Sequence, residues 1–320
     1  MTLRGKSLSA AVLFVMEVAI ETIHLSKVYG GKFFRKKVGV RNLDLRVERG
    51  EVFGYLGPNG AGKSTTIRLL MDLIRPTAGR ASILGFDCRK QSASIRNRVG
   101  YLPGDIEFDR HLSGREILTW FANMRRGVAW SWVEELAARL DLDLSRKVRA
   151  LSKGNRQKLG IVQALMHEPE VLILDEPTTG LDPIVRQEFY ALVREGRDRG
   201  QTFLLSSHAM EDVQELADRV GILRGGDLVS VERMDTILER AERVLRIHFS
   251  IAPRPEMFDG VPGVTRVLLE GKTAEVRIEG SVDPLLRAIV GGRVTQITSE
   301  APDLKNIFLS YYKEDERRVA

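Results

Sequence analysis

At 320 residues the chain is long enough for one large domain with a small one, or for two ordinary domains. With 43% hydrophobic and 29% charged residues it has the composition of a folded globular protein, which excludes the disordered and fibrous classes. A single cysteine, Cys88, excludes an intramolecular disulfide and fits a reducing compartment, while a net charge of +6 suits polyphosphate ligands, an anionic membrane surface or simply a solvated basic surface.

From the N-terminus, the longest apolar candidate is the segment 8–16, far short of the roughly 20 residues a membrane helix needs. It follows Arg4 and Lys6 as a signal-peptide core would, but no small-residue cleavage site comes after it. Met16 opens a segment, MEVAIETIHLSKVYG, that is a natural start, so residues 1–15 are expected to be an upstream extension or a disordered arm. Residues 18–28 and 38–47 alternate like strands and predict an antiparallel pair. The basic run Lys32, Arg35, Lys36, Lys37 and Arg41 reads as the solvated tip of that hairpin. The apolar run VFGYLG then leads through a loop to a predicted helix over 64–74, closed by Pro76 and Gly79.

Residues 99–102 predict a buried strand, and 110–167 are helical in pattern. Trp120, Phe121, Trp130 and Trp132 fall in that stretch, at spacings expected of core residues. VLILD, 171–175, is apolar without alternation, as a parallel strand buried on both faces must be. Helix is expected at 183–197, strand at 202–206, helix at 209–218 and strand at 220–223. Strands alternating with helices predict an α/β domain with a mainly parallel sheet. After Gly225-Gly226 the character changes to short alternating strands (245–251, 265–270, 274–279, 293–298) with helices at 234–244, 284–290 and 304–312. This predicts a small C-terminal α+β domain over 236–312, behind a main domain over 16–232, with a frayed tail at 313–320. The five histidines show no metal-like pairing with cysteine.

Gly57-Pro58-Asn59-Gly60-Ala61-Gly62-Lys63-Ser64 matches G-x-x-x-x-G-K-[ST] in full, after an apolar strand and before a helix. Its glycines let main-chain N–H groups turn inward onto phosphate oxygens, and the following helix adds its positive end. Lys63 is placed to neutralise β- and γ-phosphates and Ser64 to ligate Mg²⁺, with Thr65 beside it. Further on, VLILD ends in Asp175 with Glu176 next to it: one carboxylate for the Mg²⁺ shell and one to polarise an attacking water.

With these motifs the segment from about 18 to 230 resembles the ABC ATPase family. Leu151-Ser152-Lys153-Gly154-Asn155-Arg156-Gln157 is similar to the family's signature loop, and it opens a predicted helix, so Ser152 and the amides around Gly154 suit an anion. The resemblance implies that this loop serves the ATP of a second cassette in a head-to-tail dimer, expected to be a homodimer. Thr179-Gly180-Leu181-Asp182 resembles the D-loop that links the two sites, His208 matches the switch histidine of the γ-phosphate, and Tyr29 resembles the aromatic that stacks on adenine. The implied fold is a P-loop NTPase core of mainly parallel sheet, with an antiparallel β subdomain and a helical subdomain. The implied partner is a separate transmembrane permease, with the chain on the cytoplasmic face of the membrane and no nucleic acid expected.

Two departures stand out. Family members often carry glutamine after the strand that here reads VGYLP, where this chain has Gly104-Asp105, and how Mg²⁺ coordination is completed stays open. The signature has Lys153 and Asn155 in place of glycine and glutamine. Together YLPGD and LSKGNRQK resemble a subgroup of bacterial exporter ATPases related to antibiotic-resistance and ABC-2 type systems, which implies export. The rival readings are a soluble ABC ATPase acting on ribosomes or DNA, and a regulatory module without turnover. A single cassette argues against the first, and the set Lys63, Asp175, Glu176 and His208 against the second.

Overall fold

The computed structural model describes residues 17–30, 37–125, 127–299 and 304. The expected N-terminal extension, the tip of the first hairpin, nearly all of the last predicted helix and the tail lie outside these residues. The chain opens with β1 (Val18–Tyr29) and β2 (Lys37–Glu48), paired antiparallel as their alternation requires. With β4 (Ala78–Ile83) and β5 (Phe86–Asp87) they form one sheet, in the order β2-β1-β4-β5.

Between them run β3 (Val52–Leu56) and helix α1 (Lys63–Leu70). The helix stops four residues before the predicted end. Asp72 takes a left-handed φ of 54°, its N–H donates to Leu69 O at 3.2 Å, and the Leu73 N–H reaches Arg68 O at 2.9 Å. That pair of bonds is a Schellman stop, here with aspartate where glycine is usual.

Helix α2 (Ser92–Arg98) leads into β6 (Val99–Leu102), followed by α3 (Gly114–Asn123), α4 (Trp130–Arg139) and α5 (Lys153–Leu165). Next come β7 (Val171–Asp175), α6 (Pro183–Asp198), β8 (Thr202–Ser207), α7 (Met210–Leu216), β9 (Arg219–Arg224) and β10 (Asp227–Arg233). The central sheet has the order β10-β9-β3-β8-β7-β6 and is parallel except for β10.

The parallel strands are covered on both faces. Leu172 and Leu174 point into a core shared with α3 to α6, while Val171 and Ile173 point into the other, shared with α1 and the antiparallel sheet. This two-sided burial is why VLILD has no polar alternation. Arg139 of α4 fastens the helical layer to α6, with two bonds to the Glu195 carboxylate at 2.6 and 2.7 Å and one to Glu188.

Helix α8 (Met234–Arg240) buries Met234 and Ile237 against Leu56, Val213, Val220 and Ile222. Beyond it, β11 (Arg243–Phe249), β12 (Val264–Glu270), β13 (Thr273–Ile278), α9 (Asp283–Ile289) and β14 (Val294–Ser299) build a separate antiparallel sheet, ordered β12-β13-β11-β14. Its own apolar core includes Ile247, Phe249, Val276, Ile278 and Leu285.

The expectation that Trp120 is a core residue is wrong: it is 60% exposed. Ile117 and Leu118 carry the buried stripe of α3, and Trp120 lies on its flank, edge-on to Phe121 at 5.2 Å. Cys88 is buried, and burial with neighbouring Asp87 and Asp72 pushes its thiol up to about 12, which makes it an unreactive packing residue.

Phe203, fully buried on β8, tests the sheet's weight in stability. Phe203→Ala is expected to lower unfolding free energy by about 3–5 kcal/mol, against less than about 0.5 for exposed Val290→Ala, both read from urea denaturation.

Candidate functional site

Parallel β3, β8 and β7 lie side by side and end at the same edge of the sheet. Their carboxyl ends therefore bring together three segments distant in sequence: the glycine-rich loop, Asp175-Glu176 and Ser207-His208. The crevice outside the carboxyl ends of such strands is where α/β sheets bind ligands.

The loop after β3 folds back on itself through the Ala61 N–H, which donates to Pro58 O at 3.1 Å, and is pinned from outside by the Gly226 N–H on Ala61 O at 2.9 Å. Gly62 enters the helix at φ 116°, and a Cβ there would stand 2.5 Å from Gly39 O, so no other residue fits. The first intrahelical bond is Thr66 N–H to Gly62 O, which leaves the amides of Lys63, Ser64 and Thr65 without helical acceptors. No side chain caps them, and the first turn carries no acidic residue.

These groups line a cavity of about 450 Å³ together with Tyr29, Gly39, Pro58, Asn59, Gly60, Ala61 and Glu176. Lys63 is buried, and its ammonium donates to Gly57 O at 2.5 Å and lies 3.6 Å from the Glu176 carboxylate. Tyr29 stands at the same cavity with its hydroxyl 3.2 Å from that of Thr65.

Ser64, Asp175 and Glu176 also share a second cavity with Tyr101, Gly104 and Asp105. Asp175 is buried at the end of β7 and accepts a hydrogen bond from the Ser206 hydroxyl. A Cβ on Gly104 would be 3.3 Å from Asp175 Oδ2, so the position that breaks the family pattern lies directly against this carboxylate. Burial and the Asp175 charge push the Tyr101 phenol up, so it stays a protonated hydroxyl beside the acidic pair.

Glu176 is held in the left-handed region, at φ 53°. For a non-glycine residue this costs about 1–2 kcal/mol, and such strain concentrates at functional sites. Its N–H donates to Ser206 O at 3.0 Å, which ties it to β8. Its carboxylate faces His208 Nδ1 at 2.5 Å. An ionised carboxylate only accepts, so Nδ1 carries the hydrogen and Nε2 is left for another partner.

Two groups that sequence reasoning missed hold this pair in place. Buried Asp212 accepts from the hydroxyls of Thr178 at 2.5 Å, Tyr190 at 2.6 Å and Ser207 at 3.1 Å, and so links the segments after Glu176 and before His208. Burial, then the bond to Asp212, pushes the Tyr190 phenol far up and keeps it a donor. Gln157, also buried, donates from Nε2 to the carbonyls of Glu176 and Pro177. Asp212 lies one helical turn after His208, a spacing that could have marked it. Gln157 stood inside the signature motif, with no local sign that its side chain turns inward.

Ser152, Gly154 and Asp182 do not line the cradle of their own chain. Ser152 caps α5, its hydroxyl accepting the Asn155 N–H at 3.1 Å. A Cβ on Gly154 would be 2.5 Å from Gly180 O, so the signature turn and the D-loop touch. Asp182 caps α6 on the Val185 N–H at 3.0 Å, a bond that holds its carboxyl below the usual carboxylate range, and its other oxygen is 3.9 Å from Lys158 Nζ.

A family model for the ABC transporter matches residues 40–179. Among characterised relatives, the daunorubicin resistance ATP-binding protein DrrA3 of Streptomyces coeruleorubidus is 36% identical over 90% of this chain and 95% of its own length. The bacitracin transport ATP-binding protein BcrA of Bacillus licheniformis is 34% identical over 84% and 92%. A solved structure of an ATP-binding subunit of an ABC transporter superposes with TM-score 0.61 at 31% identity, over 68% of this chain and 91% of that one. The dimeric cassette MJ0796 bound to ADP and Pi shares the fold, with TM-score 0.62 at 21% identity over 67% and 98%. With near full-length relatives and a complete phosphate loop, the chain belongs to the ABC transporter family, as an ATP-binding subunit.

Proposed function

We propose that the cavity around 57–65 binds ATP with Mg²⁺ and that Glu176 activates the water that cleaves it. The observation that carries this is the meeting of Lys63, Glu176 and His208 at one side of the cradle, 3.6 and 2.5 Å apart in pairs. The loop amides and Lys63 grip the phosphates, and Tyr29 at the cavity mouth stacks on the base. The Ser64 hydroxyl and the Asp175 carboxylate share a cavity of hard oxygen donors, which fits Mg²⁺: this ion takes one or two carboxylates and completes its shell with phosphate and water. When bound, it neutralises charge that develops on the phosphate oxygens.

Glu176 is the general base: it accepts the proton of the attacking water and is aimed by its bond from His208. His208, bonded to Glu176 through Nδ1, keeps Nε2 for the γ-phosphate, which it would hold during cleavage. Ser152, Gly154 and Asp182, which lie off the cradle of their own chain, serve the nucleotide of a second copy in a head-to-tail dimer. Residues 16–232 act as the nucleotide-binding domain and 236–312 as an accessory domain. The relatives named above are resistance and transport ATP-binding proteins, which supports an export permease as partner, with this chain on the cytoplasmic face of the membrane. Among the described residues no helix is long and apolar enough to cross a membrane.

Glu176→Gln is expected to retain ATP binding while slowing turnover by roughly 10²–10⁴, measured as phosphate release; unchanged turnover refutes the base role. Lys63→Ala is expected to weaken ATP affinity by about 10–10²-fold in calorimetric titration, the worth of a charge-assisted bond, and unaltered affinity refutes the phosphate-loop role.

A further inference from the structure

Glu176 stands in a backbone conformation that its own side chain disfavours, at φ 53°. Its aim therefore depends on what holds the peptide planes on either side. The N–H side is held by β8, through Ser206 O. The carbonyl side is held by a residue from a different element. Gln157 sits on the first turns of α5, is only 5% exposed, and donates from Nε2 to Glu176 O at 3.1 Å and to Pro177 O at 2.9 Å. Both partners are acceptors, so the amide has only one orientation that satisfies them.

This two-point grip spans consecutive carbonyls and so fixes the peptide that leaves Glu176. The same turns of α5 begin at Ser152, and Gly154 there lies against Gly180 O. The signature turn, the D-loop and the carbonyl of Glu176 are thereby bound into one packed unit within a single chain.

We propose that Gln157 is a positioning residue for hydrolysis: its side-chain amide holds Glu176 in the left-handed pose and carries displacement of the signature turn to the base of the same chain. This rests on the reading of Glu176 as the base. Gln157 does not itself line the cavity of the phosphate loop and Tyr29 and meets Glu176 only at its main-chain carbonyl, so its loss acts on the chemical step and spares nucleotide binding.

The test is steady-state ATP hydrolysis by the full chain carrying Gln157→Met, which keeps the length of the side chain and removes both donors. The expected result is a fall in kcat of about 10–10²-fold, the cost of a misplaced catalytic group, with KM for ATP changed less than about twofold. In a Glu176→Gln background the same substitution is expected to change the residual single-turnover rate by less than about twofold, because residues that act as a unit are not additive. An unchanged kcat in Gln157→Met, or an equal loss in both backgrounds, overturns the proposal. If Glu176→Gln alone costs nothing, the base reading fails instead, whatever Gln157 does.

Should Gln157→Met fail to fold, Gln157→Glu carries the test. Its carboxyl donates one hydrogen bond while protonated and none once ionised, and burial raises the pH at which it ionises. Its kcat relative to the parent is expected to fall as pH rises, while a ratio that stays flat across pH overturns the proposal.

Discussion

A loop that closes around a phosphate must aim several main-chain N–H groups at one point, and those donors then have no acceptor in the protein. The amides at the start of α1 are in this position: the helix cannot use them, no side chain caps them, and the first turn carries no acidic residue. The rest of the architecture serves that arrangement. The Gly226 N–H braces the loop from the turn between β9 and β10, and β3 delivers it to the sheet edge beside the ends of β7 and β8. Since the strands are buried on both faces, the edge cannot shift without disturbing two cores at once.

The acidic side of the site obeys a different constraint. Glu176 is strained, and strain persists only where the surroundings over-determine it. Here the surroundings are polar: the Ser206 carbonyl, the Gln157 amide and the hydroxyl-laden Asp212 that ties the flanking segments together are internal, and His208 closes them from the exposed side. A buried network of this kind is specific only when every member is satisfied. A change at a distant hydroxyl such as Tyr190 therefore acts on Asp212, and through it on the Thr178 and Ser207 hydroxyls in the segments beside Glu176 and His208.

Much of this was legible in the residues. The phosphate loop was readable because backbone geometry demands its residue types, and the buried strands because two-sided burial removes alternation. Lys63, Asp175, Glu176 and His208 were identifiable from order and context, and they do converge. Strands β4, β5 and β10 went unread because they are short or half-exposed and carry glycine or charge where a core strand carries apolar residues. The end of α1 was misjudged because an aspartate supplied the left-handed stop that glycine usually signals. The spacing of the aromatics suggests a core role for Trp120, yet the stripe of α3 is set by Ile117 and Leu118. The roles of Gln157 and Asp212 are harder to read for a deeper reason: spacing could mark Asp212, but the partners of both lie on other elements, and only the folded chain brings them together.

The central claim is that affinity comes from amides wrapped around phosphate oxygens, with the adenine contact secondary. Calorimetric titration of the intact protein with ATP, ADP and AMP in the presence of Mg²⁺ measures this directly. ATP and ADP are expected to bind within about tenfold of each other and AMP at least about 10²-fold more weakly, since it lacks the phosphate that the loop encloses. Equal affinity for AMP and ATP would contradict the claim, and would move the source of binding from the loop at 57–64 to the base pocket around Tyr29.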